Sequence, residues 1–311
     1  MTYGQSRSHS TSKFLKAIIN KVFTIYSELE KLTGIPETML WTLHNRANEA
    51  MRSDGVIQDP KAVEIYEAIE YDYERSFGKA DPLHALRSIA KRDQRSIAFD
   101  SEIRAFMKKH PSGVVVNLGE GLETQRFRLA DLQTTWYTID LPESIAKRDQ
   151  RSIRAREHFI SPGDRWKHIT CSALDYAWMD QIPTDRPVCI TAQGLFMYFQ
   201  ESEVRDLLKT LAERHPILTI IFDVIPNWLA QKTLSPDGLK MTRDYVTPVM
   251  PWGINRKEIP SFIEKSMGRD FDVTDIGYPR YPLAIRSFLF WVWFNVPVLK
   301  QWAPTIVKVE R

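Results

Sequence analysis

The chain has 311 residues, 43% of them hydrophobic, enough to bury a large core, so disorder is excluded as an overall description. Its 42 basic and 39 acidic residues are well mixed and leave a net charge of +3, which gives no electrostatic footprint for nucleic acid. The two cysteines, Cys171 and Cys189, form no CxxC pair and no Cys/His cluster, which argues against a zinc site or disulfide framework and suits a reducing compartment.

Met1 to Thr11 is polar and lacks the apolar core of a secretory signal, so a cytoplasmic location is expected. Residues 12–35 read as a helix, with Phe14, Leu15, Ile18, Ile19, Val22 and Ile25 at helical spacing and Ser12 as a cap. A second helical region covers Glu37–Met51. A third runs from Lys61 through Tyr71, opened by Asp59-Pro60. The first eighty residues are therefore expected to be all-helical, either a cap over a site or a structural collar.

From Val114 strands alternate with helices. Strands are predicted at Val114–Leu118, Trp136–Asp140, Trp166–Cys171, Val188–Thr191 and Ile217–Val224, with helices at Leu122–Leu132, Pro142–Glu157 and Glu201–His215. This is α/β alternation with a parallel sheet. Pro226–Asn255 reads as a long irregular segment. Asn255 and Glu258 then form a capping box for a helix through Met267. Phe271–Ile276 and Thr305–Val309 supply two last strands. Between them Ser287–Leu299 is the most apolar stretch, but it is short and contains Asn295 and Pro297, so it reads as a buried or substrate-lining helix, not a membrane span. Ser-Ile-Ala-Lys-Arg-Asp-Gln-Arg-Ser-Ile occurs at 88–97 and again at 144–153; the first copy reads as a short copied insertion that lengthens a helix.

The chemistry concentrates after the first strand. Gly119-x-Gly121 lets the backbone turn sharply beside a ligand, and the second strand ends on Asp140. In a doubly wound sheet that carboxylate lies beside the glycine turn, where it can accept both hydroxyls of a ribose. Thr124 stands where a dinucleotide fingerprint has its third glycine, which weakens NAD or FAD. S-adenosylmethionine, without a pyrophosphate, needs only the close approach and the carboxylate. A plain tight turn for the glycines and a helix N-cap for Asp140 are the structural alternatives.

The wider sequence resembles the leucine carboxyl methyltransferase family, and within it the bacterial polyketide-type carboxyl O-methyltransferases of the tetracenomycin-pathway kind. The resemblance rests on Leu43-His-Asn-Arg-Ala-Asn-Glu49, Asp59-Pro-Lys-Ala62, Ile69-Glu-Tyr-Asp72, Val116-Asn-Leu-Gly-Glu-Gly-Leu-Glu-Thr124, Trp136-Tyr-Thr-Ile-Asp-Leu-Pro-Glu143, Ser172-Ala-Leu-Asp-Tyr-Ala-Trp178 and Ile190-Thr-Ala-Gln-Gly-Leu-Phe-Met-Tyr198. It implies a class I methyltransferase, Rossmann-like α/β fold. That fold has a seven-stranded sheet with the last strand antiparallel and binds S-adenosylmethionine. Residues 1–80 would form the helical cap and 81–311 the methyltransferase core, with 226–255 as an acceptor-site insertion.

Carried over by position, Gly119 and Gly121 would approach the methionine part of the cofactor and Asp140 would hold the ribose. Ala173, Leu174 and Asp175 would lie at the adenine, with a second cap as the rival role for Asp175. Arg95 would clamp the cofactor carboxylate, although Arg87 has the same local sequence. Arg46 either faces the site or lies on a solvated face. Gln193 stands where the leucine carboxyl branch carries a glutamate for the cofactor ammonium; its amide oxygen can still accept that bond. Met197 and Tyr198 either line the transfer region or belong to the core.

No catalytic residue is assigned. A carboxylate acceptor is already ionised and needs alignment rather than a base, and no motif singles out one of His44, His84, His110, His158, His168 and His215. Trp228, Tyr245, Met250 and Trp252 are expected to wall the acceptor site, with a packed insertion as the bland alternative. The leading reading is methylation of the carboxylate of a small aromatic or lipophilic acid. A protein C-terminal carboxyl methyltransferase and a catalytically silent cofactor-binding protein are the alternatives.

Overall fold

The computed structural model describes residues 35–53, 55–69, 71–77, 94–141, 165–240, 245–277 and 301–311. Almost all of the helix expected over 12–35, the helices expected over Pro142–Glu157 and Ser287–Leu299, Arg87, His84, His158 and most of the doubled segment lie outside them.

The helical segment starts with α1 (Ile35–Met51). Asp59 opens α2 (Pro60–Ala68) by accepting the Ala62 N–H at 2.9 Å, and Pro60 takes a first-turn position where no N–H is needed. α2 stops at Ala68, short of Tyr71, because the backbone becomes extended at Ile69; α3 (Tyr73–Phe77) follows. Two small cores join these helices, one around Leu43, Ala47 and Ala62 and one around Leu40, Tyr73, Phe77 and Tyr245. Leu122, from beyond the first strand, packs on both.

α4 (Gln94–Lys109) leads into β1 (Val114–Leu118). With β2 (Thr135–Asp140), β3 (Trp166–Thr170), β4 (Val188–Ala192), β5 (Leu218–Val224), β6 (Asp272–Asp275) and β7 (Thr305–Glu310), it forms a seven-stranded sheet in the order β3-β2-β1-β4-β5-β7-β6. β1 to β5 pair in parallel, and β7 runs antiparallel to both β5 and β6. This is the class I methyltransferase sheet that the resemblance implies.

The period of two along the strands sorts the core onto two faces. Val114, Val116 and Leu118 join Ile139, Ile190, Ile220 and Phe222 on one face, covered by α6 (Glu201–Arg214) and by α8 (Ile259–Met267). Val115, Trp136, Cys189, Ile221 and Ile306 point to the other, against Phe99, Ile103 and Phe106 of α4. Both sides of β1, β4 and β5 are covered, which is why these strands are buried throughout and mostly apolar.

Two expectations are corrected. The helix predicted over Leu122–Leu132 contracts to α5 (Gln125–Arg128), because Glu120–Glu123 is closed as a turn and the chain after Leu129 turns again. The segment Pro226–Asn255 is not wholly irregular: α7 (Asn227–Leu234) starts directly after Pro226. The Asn255/Glu258 capping box forms as expected and opens a short 3-10 turn that runs into α8. No helix among the described residues is long and apolar enough to cross a membrane.

Candidate active site

β2 and β3 extend the sheet to one side of β1 and β4 and β5 to the other, so a crevice opens at the carboxyl ends of β1 and β4. A cavity of about 520 Å³ fills it. That is within the roughly 300–1,000 Å³ usual for small-molecule sites. It divides into a polar half around the glycine turn and an apolar half beyond the end of β5.

In the polar half Gly119 and Gly121 take φ of 62° and 52°. A Cβ on Gly119 would meet Leu195 Cδ1 at 2.8 Å, and one on Gly121 would lie 3.1 Å from Met39 Cγ. The left-handed conformation is what demands glycine at both positions, and a Cβ at either would also press on a neighbouring side chain. Gly119 N–H donates to the Ile139 carbonyl at 2.8 Å, tying the turn to the adjacent strand. Asp140 sits at the end of that strand, 7% exposed. Its Oδ2 accepts the Gly121 N–H at 2.7 Å and its Oδ1 the Leu141 N–H at 2.8 Å. A carboxylate oxygen accepts more than one hydrogen bond, so this anchoring is compatible with a hydroxyl ligand.

Ala173 lines the same cavity beside Cys171 and Ser172. Leu174 and Asp175 do not line it. Leu174 packs on the core, and the exposed Asp175 accepts the Ala177 N–H at 3.3 Å as the cap of a 3-10 helix, Tyr176–Gln181. For Asp175 the capping role is thus the one the geometry displays.

Gln193 and Arg95 both line the cavity. Gln193 Nε2 donates to Ser96 Oγ at 3.3 Å, which assigns its oxygen as the acceptor end. Arg95 Nη1 pairs with Asp223 Oδ2 at 3.1 Å, while Asp223 Oδ1 accepts the Gly194 N–H. Asp223 escaped the sequence reading; its signal was a lone carboxylate inside the apolar strand Leu218–Val224, since an almost fully buried acid needs a partner.

Of the two positions open to Arg46, facing the site and lying on a solvated face, the structure shows the first. It is 1% exposed and lines the cavity, with Nη1 3.1 Å from Glu123 Oε2 and Nη2 donating to the Leu122 carbonyl at 2.5 Å. Burial alone would push Glu123 up, but Arg46, Arg128 and the Thr124 N–H together hold its carboxyl down at about 2.

The apolar half is built from Met197, Ile225, Leu229, Leu239 and Met250, with Tyr198 and Thr247. Burial raises the Tyr198 hydroxyl above its usual range, against the opposing pull of a Thr38 hydrogen bond and of Arg95. Of the four residues expected to wall an acceptor, only Met250 is there. Trp252 is 3% exposed in the main core, its ring 5.3 Å from that of Phe262. Tyr245 is 2% exposed and packs its ring on Trp41 and Phe77 beneath the helical segment. Trp228 lies on the outer face of α7, 45% exposed, and donates to the Trp302 carbonyl at 2.8 Å. Large rings are recruited to packed cores as readily as to sites, and composition does not separate the two. Among the described histidines none lines the cavity: His44 stacks on Tyr73, His168 contacts Thr138 Oγ1, and His215 is fully buried.

The chain is similar to known methyltransferases. The family described as leucine carboxyl methyltransferase matches the chain over residues 39–212, more than half of its length. The tetracenomycin polyketide synthesis O-methyltransferase TcmP of Streptomyces glaucescens is 28% identical over 207 residues, 65% of this chain and 70% of that protein. The S-adenosyl-L-methionine-dependent methyltransferase dpfgK of Gibberella zeae is 25% identical over 193 residues, 58% of this chain and 61% of its own. Among solved structures, the plantazolicin methyltransferase BpumL in complex with SAH has a TM-score of 0.46 at 14% identity, covering 88% of this chain and 98% of that one.

Proposed function

The chain belongs to the leucine carboxyl methyltransferase family and is an S-adenosylmethionine-dependent methyltransferase; we propose that it O-methylates the carboxylate of a small aromatic or lipophilic acid. The observation that carries this reading is the apolar lobe of Met197, Ile225, Leu229, Leu239 and Met250, continuous with the polar half in one cavity. The TcmP relative, an O-methyltransferase of polyketide synthesis, supports transfer to oxygen.

The residues present fit the cofactor. Asp140, held by two backbone N–H groups, offers oxygens to the ribose hydroxyls, and Ile139, Leu141 and Ala173 give the base an apolar bed. Gly119 and Gly121 keep side chains out of its path. Arg95, steadied by Asp223, would pair with the amino-acid carboxylate, and the Gln193 oxygen would accept from the ammonium. When bound, S-adenosylmethionine supplies a methyl group activated by its sulfonium. A carboxylate acceptor has no proton to lose, so the chain's task is to orient it and exclude water, which the apolar lobe does. On this reading the described helices α1 to α3 form the cap and the described part of 226–255, with Leu229, Leu239, Thr247 and Met250, the acceptor side.

The test is methyl transfer from radiolabelled S-adenosylmethionine to a panel of lipophilic acids and matched phenols. The expected product is organic-soluble and loses its label in mild base, as a methyl ester does, with a rate nearly flat from pH 6.5 to 8.5. Base-stable label on the phenols would overturn the carboxylate reading. Label confined to macromolecular material would move the acceptor to a protein carboxyl group.

A further inference from the structure

Beneath the glycine turn lies a buried network of charges that the cofactor roles do not use. Arg46 of α1 holds the Leu122 carbonyl and Glu123, and its Nε lies 3.7 Å from Asp59, the cap of α2. Arg128 of α5 reaches the same Asp59 at 2.7 Å, Glu123 at 2.9 Å and, through Nε, Asp100 of α4 at 2.7 Å. Thr124 Oγ1 also donates to Asp59. The side chains of Arg46, Asp59 and Arg128 are at most 5% exposed. Burying such charges is costly unless every one is paired in fixed geometry, so the network has few alternative arrangements.

Leu122 makes the network matter for the site. Its side chain packs in both small cores of the helical segment, and its carbonyl is held by Arg46. One residue earlier, the Gly121 N–H donates to Asp140. Two bonded neighbours thus connect the packing of α1 and α2 to the carboxylate assigned to the ribose.

We propose that Arg46, Asp59 and Glu123 are positioning residues that couple the α1–α2 cap to the glycine turn, so that cofactor binding and cap packing stabilise each other. α2 itself does not line the cavity, yet it tightens when the cofactor site is filled, because the coupling is reciprocal. The inference rests on the cofactor occupying this turn, which calorimetry on the wild-type protein checks separately.

Hydrogen exchange of the wild-type protein, with and without saturating S-adenosylhomocysteine, reads the coupling directly. The α2 amides are expected to exchange about fivefold or more slowly in the complex, with α8 as the unaffected control. Titration calorimetry then compares wild type with Arg46→Lys and Glu123→Gln, which keep a donor or an acceptor in place and are milder than Arg46→Met. Each should weaken S-adenosylhomocysteine about tenfold. Arg46→Lys should also abolish the ligand-dependent protection of α2, a readout that a merely structural role would not move. Binding by wild type with unchanged α2 exchange would overturn the coupling alone. Absence of binding by folded wild type would overturn the cofactor assignment and the coupling with it.

Discussion

The two halves of the cavity are built on different principles. Around the glycine turn, positions are set by backbone: two glycines at positive φ, strand ends in parallel register, and N–H groups closing on Asp140. Beyond β5 the wall is a set of apolar side chains on a helix and a loop, with few directional bonds to specify it. A ligand common to a whole family suits the first kind of surface. An acceptor that differs between relatives suits the second, where side chains exchange without disturbing the sheet.

The largest effect that would test this division is Trp252→Ala. Its ring is in the core, so the variant should lose about 3–5 kcal/mol of stability in urea unfolding. A raised acceptor KM at unchanged stability would instead return Trp252 to the acceptor wall. Next comes Asp140→Ala, for which calorimetry with S-adenosylhomocysteine should register a Kd about 100-fold weaker. Unchanged affinity would remove the ribose role and blur the distinction between the halves. Met250→Ala should raise the acceptor KM about fivefold, from lost apolar contact, and leave the cofactor Kd alone. A parallel loss in both constants would mean the halves are one surface.

The smallest effect separates scaffold from site. Burial of His215, with Arg214 adding to it, lowers its pKa to about 4, while the unfolded chain titrates near 6.5. Unfolded protein therefore takes up the proton first, and stability falls as pH drops through 6.5 and levels off below 4. Between pH 7.5 and 5.5 the loss should be about 1 kcal/mol in urea midpoints, and His215→Leu should flatten it. Glu123 is stabilised in its charged form instead: its contribution is complete above about pH 4.5 and falls progressively as pH drops from there to about 2. Mild acid should thus weaken the scaffold while Glu123 stays paired.

Much of the polar half was legible in advance because its requirements are local. A buried strand shows as Val114-Val115-Val116, a tight turn as two glycines, and a strand-end acid as Asp140, each readable within a few residues. The capping box at Asn255 and Glu258 is local in the same sense. Asp175 shows where locality misleads: a helix cap and a ligand contact ask for the same side chain at the same place, and only the exposed position beside Ala177 separates them.

By itself, then, the sequence determined the alternation of strands and helices, the place of the glycine turn and the family to which both belong. Tertiary structure decided the rest. Asp223 met Arg95 across 128 positions of chain, Arg46 took the site-facing of its two positions and met Glu123, and Tyr245 and Trp252 entered cores while Leu229 and Leu239 took the cavity wall. Backbone requirements act over a few residues and leave a pattern. Which face an arginine or an aromatic ring turns to is set by partners distant in sequence, because burying a charge or a ring is favourable only where the complementary surface already stands.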